Sequence, residues 1–226
     1  MTRRSRLFSS PPSAPLVAAS ILSADFAAMG DDAGDALEAG ADLLHLDVMD
    51  GHFVPNLTMG PALCACLRRA LPDAFLDVHL MVTDPAMFVH PFAEAGADHF
   101  TFHIEAESDP APLAEAVHTA GMSAGLAINP PTEVDRVLPH LSHFELILVM
   151  SVNPGFSGQK FIPSALEKAR RIKPLLRPEQ RLQVDGGVNA HTAADCRAAG
   201  FDVLVAASAI FNTNDYADAI RTLRAG

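Results

Sequence analysis

Residues 43–56, LLHLDVMDGHFVPN, decide the reading of this chain. The stretch opens as an apolar run and closes on Gly and Pro, the pattern of a buried strand leaving a sheet into a loop. Side chains alternate faces along a strand, so His45, Asp47 and Met49 share one face. A His and an Asp on a buried face are costly unless something pairs with them. A metal ion would do so, and so would a salt bridge to a distant residue.

Seven further apolar runs lie on either side: LVAASIL (16–22), FLDVHLM (75–81), HFTFHIE (99–105), SAGLAIN (123–129), ELILVMS (145–151), RLQVD (181–185) and DVLVAAS (202–208). Helical patterns separate them, among them Asp31–Ala39, Pro61–Ala70, Pro85–Ala95, Pro110–Ala120 and Pro163–Leu176. Several open on Pro, a helix start signal. AGAD recurs at 39–42 and 95–98, and AAGFD spans 198–202. In each the Gly suits a helix stop, with a strand following at once. Eight such units in one chain of 226 residues predict an α/β fold, a (β/α)8 TIM barrel forming a single domain over 15–226. A doubly wound open sheet would usually carry a glycine-rich turn after its first strand, and Ser23-Ala24-Asp25 is not one.

A formal charge of −11 argues against nucleic-acid and anionic-membrane partners. No run is long and pure enough to cross a bilayer. Cys64 and Cys66 fall on different faces of a helix and Cys196 is remote, so free thiols and a cytoplasmic protein are expected. Residues 1–14, with three Arg, four Ser and no acid, have the composition of some organelle transit peptides; at this length a flexible tail is the expectation.

Barrel active sites lie at the C-terminal ends of the strands. There His45, Asp47, His79 and Asp185 converge from strands 2, 3 and 7. Each alone reads as a satisfied core polar residue or a strand-end cap; four together point to one divalent ion per chain, with zinc, iron, manganese and cobalt all suited to mixed N/O ligands. Three small-residue loops adjoin: SVNPGFSGQKF (151–161), Gly186-Gly187, and Ala206-Ala207-Ser208. Singly these permit tight turns; at adjacent strand ends they suit a phosphate dianion held by backbone N–H groups. A metal, two carboxylates and a phosphate seat fit a small sugar phosphate. One carboxylate would remove a proton beside a carbonyl and the other return it on the opposite face, with the metal holding the enediolate oxygens. Met49, Met81 and Met150 end neighbouring strands and would wall off water, or simply fill the core.

The blocks ASILSADF (19–26), HLDVMDGHFVPNLTMGP (45–61), DVHLMV (77–82), TFHIEA (101–106), MSVNPGFSGQKF (150–161), QVDGGVN (183–189) and VAASAIF (205–211) resemble the ribulose-phosphate 3-epimerase family, in order and over nearly the whole barrel. The resemblance implies interconversion of D-ribulose 5-phosphate and D-xylulose 5-phosphate with one divalent metal on His45, Asp47, His79 and Asp185. It makes Asp47 the proton acceptor and Asp185 the donor. It places substrate contacts on Ser20, His79, Gly155, Phe156, Ser157, Gly158, Asp185, Gly186, Gly187, Ala207 and Ser208. A homo-oligomer is expected.

Members of that family usually carry Pro at the place of Ala19 and Gly at those of Ser157 and Ala207. The methyl of Ala207 restricts φ, and Ser157 offers a hydroxyl instead. Three other functions use similar parts. An epimerase for a six-carbon ketose phosphate such as allulose 6-phosphate would share every ligand. A phosphosugar lyase or decarboxylase would carry a Lys among the acids after strand 2, and none lies between Asp47 and Asn56. A non-catalytic sugar-phosphate binder would not need both Asp47 and Asp185.

Overall fold

Eight parallel strands close on themselves in sequence order. They are β1 (Leu16–Ser20), β2 (Leu43–Met49), β3 (Leu76–Met81), β4 (His99–His103), β5 (Ser123–Ile128), β6 (Leu146–Met150), β7 (Arg181–Asp185) and β8 (Val203–Ala206). The last pairs with the first, Leu16 against Val203, which completes the predicted barrel. The structure is a computed structural model describing residues 7–8 and 15–225. Eight helices cover the strands: α1 (Met29–Glu38), α2 (Pro61–Ala70), α3 (Val89–Glu94), α4 (Ala111–Thr119), α5 (Ser164–Ile172), α6 (Ala193–Ala198), α7 (Ser208–Phe211) and α8 (Tyr216–Ala225). Between β5 and β6 two short 3-10 turns, Val134–Arg136 and Leu138–His143, replace a helix.

Alternation along the strands sorts the core into two layers. Val17, Leu44, Leu46, Val78, Phe100, Leu126, Ile147 and Leu204 face outward and pack under the helices. Leu16, Ala18, Leu43, Ala127, Leu146, Leu148, Val203 and Val205 face inward and fill the barrel. On β2, β3, β4 and β7 this same inward parity carries polar groups: His45, Asp47, Asp77, His79, His99, Thr101, His103, Arg181 and Gln183 are all buried. The barrel interior is thus apolar on one side and polar on the other.

The stop glycines behave as expected; Gly40, Gly96 and Gly200 all have positive φ. The acid after each stop also has a task. Asp42 accepts the N–H of Val17 on the preceding strand, and Asp98 accepts that of Leu76. Glu145 and Asp202 do the same for Ala124 and Leu182. Each acid is then met by a base from a flanking helix or the turn after one: Arg224, Arg68, His118 and Lys173 respectively. Four equivalent clamps therefore tie the strands in pairs, β1–β2, β3–β4, β5–β6 and β7–β8, at the N-terminal face of the barrel.

Most of the N-terminal segment 1–14 lies outside the described residues, but Leu7 and Phe8 do not. Phe8 is buried, its ring 4.7 Å from those of both Phe75 and His99. Arg181 donates from Nη2 to the carbonyl of Leu7 at 3.0 Å. These two residues close the floor of the barrel.

Candidate active site

The mouth of the barrel is built from strand ends. His45, Asp47 and Met49 project inward from β2, His79 and Met81 from β3, Met150 from β6, and Asp185 closes β7. One ligand atom each of His45, Asp47, His79 and Asp185 can be chosen so that all lie within 4.8 Å of one another. His79 Nδ1 is 3.1 Å from Asp47 Oδ1 and 3.7 Å from Asp185 Oδ2. His45 Nε2 is 3.4 Å from His79 Nδ1 and 3.5 Å from Asp47 Oδ1. A tetrahedral ion with bonds of about 2.0–2.1 Å sets its ligand atoms roughly 3.3 Å apart, so this donor set fits a divalent cation in both spacing and chemistry.

The parts around the cluster hold it in place. Ser20 donates from Oγ to Asp47 Oδ2 at 2.6 Å. Behind His45, Nδ1 meets Asp77 Oδ2 at 2.8 Å, and Gln183 donates from Nε2 to the same oxygen at 2.9 Å. Behind His79, Nε2 meets Nε2 of His103 at 2.8 Å, and Nδ1 of His103 meets Glu105 Oε2 at 3.1 Å.

Within the cluster the charges divide unevenly. Burial works against the charged form of Asp47, but His45 and His79 hold its carboxyl far below the usual range. Burial and then the Asp47 charge push Asp185 up to about 7. Burial would lower the pKa of His45, yet Asp77 and Asp47 raise it well above the ordinary imidazole value. Burial keeps His79 below its ordinary value. Two carboxylates facing one point with separated protonation behaviour are the raw material of acid–base chemistry.

Above the cluster lies a cavity of about 320 Å³. Its wall contains Ser20, Asp47, Met49, Met81, Met150, Asp185, the loop Gly155 to Gly158, Gly186, Gly187, Ala207 and Ser208. His45 and His79 are fully buried and are not part of that wall. The small-residue loops meet on the far side from the imidazoles. Gly187 has φ +66, and a Cβ there would come within 2.7 Å of the Phe161 nitrogen and 2.9 Å of the Gln159 carbonyl. Only Gly permits that approach of two backbones. Short helix α7 begins at Ser208, beside the cavity; the Ile210 and Phe211 N–H groups bond to the Ala207 carbonyl, so Ser208 and Ala209 are the residues whose N–H groups the helix start directs outward. Ala207 has φ −106 and ψ −90; its φ is negative, so its methyl meets no left-handed strain.

Several neighbours had no place in the sequence reading. Asn56 donates from Nδ2 to the Gly155 carbonyl at 2.7 Å and fastens the loop after β2 to the loop after β6. Asn189 and Asn212 add side chains to the cavity wall. Asp77 and Gln183 share strand parity with His79 and Asp185, as do His103 and Glu105 with each other. That parity was the available signal; it gives the face but not the partner.

Barrel and mouth together define an enzyme of carbohydrate chemistry, an isomerase of sugar phosphates. The model of the Ribulose-phosphate 3 epimerase family matches residues 16–211, and the chain belongs to that family. It is 45% identical over 213 residues to the ribulose-phosphate 3-epimerase of Mycobacterium tuberculosis, covering 93% of this chain and 92% of that one. It is likewise 45% identical over 212 residues to the Escherichia coli ribulose-phosphate 3-epimerase, covering 92% and 94%. Among solved structures, 3-hexulose-6-phosphate synthase from Salmonella typhimurium superposes with a TM-score of 0.64 at 18% identity over 92% of this chain and 96% of that one, a likeness of fold.

Proposed function

We propose that this chain interconverts D-ribulose 5-phosphate and D-xylulose 5-phosphate by inverting C3. Within the family, the observation that carries this reading is the pair Asp47 and Asp185, which reach one cavity from β2 and β7 on different sides of the barrel. Asp47 takes the C3 proton on one face of the substrate and Asp185 gives a proton to C3 on the other. In the reverse direction the two exchange roles. His45, Asp47, His79 and Asp185 would hold one divalent cation. When bound, that cation supplies positive charge beside the substrate oxygens where negative charge develops. Ser20 keeps Asp47 oriented through its 2.6 Å bond. Met49, Met81 and Met150 line the space between the acids with side chains that offer water little. Gly187, Ala207 and Ser208 seat the phosphate through backbone N–H groups, and Gly155 to Gly158 lie over it.

Turnover in deuterated water tests this. Each product should gain one deuterium at C3, with less in unreacted substrate. Asp47→Asn and Asp185→Asn should each lower kcat by several orders of magnitude, with bound metal measured in both. If either variant keeps its metal and epimerises normally in both directions, the two-acid reading fails. Faster turnover of allulose 6-phosphate than of ribulose 5-phosphate would move the assignment to a six-carbon substrate.

A further inference from the structure

We propose that His103 and Glu105 are positioning residues of the metal centre, a relay that fixes the tautomer of His79 so that Nδ1 is free to ligate. The inference rests on the reading of His45, Asp47, His79 and Asp185 as metal ligands.

His103 is the last residue of β4 and is fully buried. Its ring stacks on His79, centroids 5.0 Å apart and planes 25° apart, and Phe53 closes on it at 4.9 Å. The 2.8 Å approach of the two Nε2 atoms needs one N–H and one lone pair. His79 turns Nδ1 toward Asp47, Asp185 and His45. A ligand nitrogen must offer its lone pair, so the single proton of neutral His79 sits on Nε2 and is donated to His103. His103 Nε2 then accepts, which places its own proton on Nδ1, facing Glu105 Oε2 at 3.1 Å. The other carboxylate oxygen accepts the Asn129 N–H at 3.0 Å. Glu105 therefore faces these two donors and the Thr132 hydroxyl, and as a carboxylate has no donor to offer. Burial opposes its charge, yet the bond from His103 helps hold its pKa at about 2. Lys168 pins the surrounding loop by donating to the carbonyls of Asn129, Pro130 and Thr132. Each member of the relay is thus left with one protonation state.

The reverse polarity would put the His79 proton on Nδ1, pointing at the incoming cation. Glu105 opposes this from two residues away in the relay, against the pull of Asp47 Oδ1, which stands 3.1 Å from His79 Nδ1. Asp77 does the same directly for His45, whose Nδ1 it engages. Carboxylate–imidazole pairs behind metal ligands raise ligand basicity as well as fixing orientation. Here one carboxylate is fully buried, and the other reaches partial solvent exposure, at 18%.

Glu105→Gln tests the relay with little change of shape. Its amide can offer oxygen to only one of the two donors, so the other contact becomes N–H against N–H. Metal-free wild type and variant would be titrated with cobalt(II) against a competing chelator, following affinity and the visible spectrum. Melting temperatures of the metal-free forms would be compared alongside. The variant should bind roughly 10- to 100-fold more weakly with a shifted spectrum, while the metal-free melting temperature falls by only a few degrees. His103→Leu, which removes the acceptor, should weaken binding at least as much. Wild-type affinity and spectrum in Glu105→Gln would overturn the relay alone. A wild-type chain that binds no cobalt would overturn the metal centre, and the relay with it.

Discussion

His45 and His79 address the same point with different ring nitrogens, Nε2 of one and Nδ1 of the other, 3.4 Å apart. Neighbouring strands bring their rings side by side, with Asp47 and His79 in register on β2 and β3. Because the ligating atoms differ, the rear nitrogens point to different places, one toward Asp77 and one toward His103. Each ring is thus held from behind by a different partner.

The protein should therefore carry about one divalent ion per chain, and a chelator should remove activity and lower the melting temperature, because the ion binds the folded state only. His45→Ala should lose metal while keeping the barrel, as read by elemental analysis and far-UV circular dichroism. Full activity in rigorously metal-free protein would reject the centre.

Metal affinity should depend on pH with a definite sign. In the metal-free protein Asp185 has a pKa of about 7, against an ordinary 3.8. Below pH 7 a proton must leave before the carboxylate can ligate, so affinity should fall by up to about tenfold per pH unit from this group alone. The same shift acts oppositely on the metal-free fold. Its folded pKa lies above the unfolded one, so its contribution is full below about 4 and is lost as pH rises through about 7. Calorimetric titration across this range should show proton release on metal uptake; an affinity flat through neutrality would contradict it.

Gly187→Ala should be much worse than Ala207→Gly. The added Cβ would meet backbone atoms of Gln159 and Phe161, which cannot swing aside as a side chain would. The loop over the cavity must shift, at a cost on the order of 1–3 kcal/mol. KM for the sugar phosphate should rise about tenfold or more. Ala207→Gly should stay within about threefold of wild type, since glycine can take up the same backbone without adding an atom to the cavity wall. Steady-state kinetics on the two variants decides the matter, and equal effects would count against this account of the loops.

Phe8→Ala should lower stability by about 3 kcal/mol while leaving kcat nearly untouched. Phe8 is 3% exposed and packs at the end of the barrel opposite the cavity. Urea unfolding would measure the loss. A change below about 1 kcal/mol would mean that the floor is closed by other residues.

The sequence made the barrel legible because its periodicities are simple. The runs at 43–49 and 181–185 match their strands end to end. Elsewhere the expected strands overran. The run at 16–22 stops at Ser20, whose Oγ accepts the Leu22 N–H and starts a turn, although Ile21 and Leu22 are as apolar as the strand. Hydrophobicity marks burial and does not mark where a hydrogen-bonded neighbour ends. The four cluster residues were legible because strand parity and the barrel rule put them at one mouth. His103 and Glu105 obey the same parity, but a pairwise bond between strands depends on stagger, which composition does not reveal. Leu7 and Phe8 were hidden differently, because a two-residue anchor within a polar stretch has no period to detect.

The four acids that clamp strands in pairs have a consequence for how this chain can be cut and rejoined. Asp42, Asp98, Glu145 and Asp202 all sit in loops inside a pair, and the loops between pairs hold none of them. The barrel therefore has seams. A circular permutant opened between β4 and β5 keeps every clamp acid away from its new ends, whereas one opened between β5 and β6 leaves Glu145 beside a loose terminus. The boundary between β8 and β1 is likewise a seam, with no clamp acid of its own.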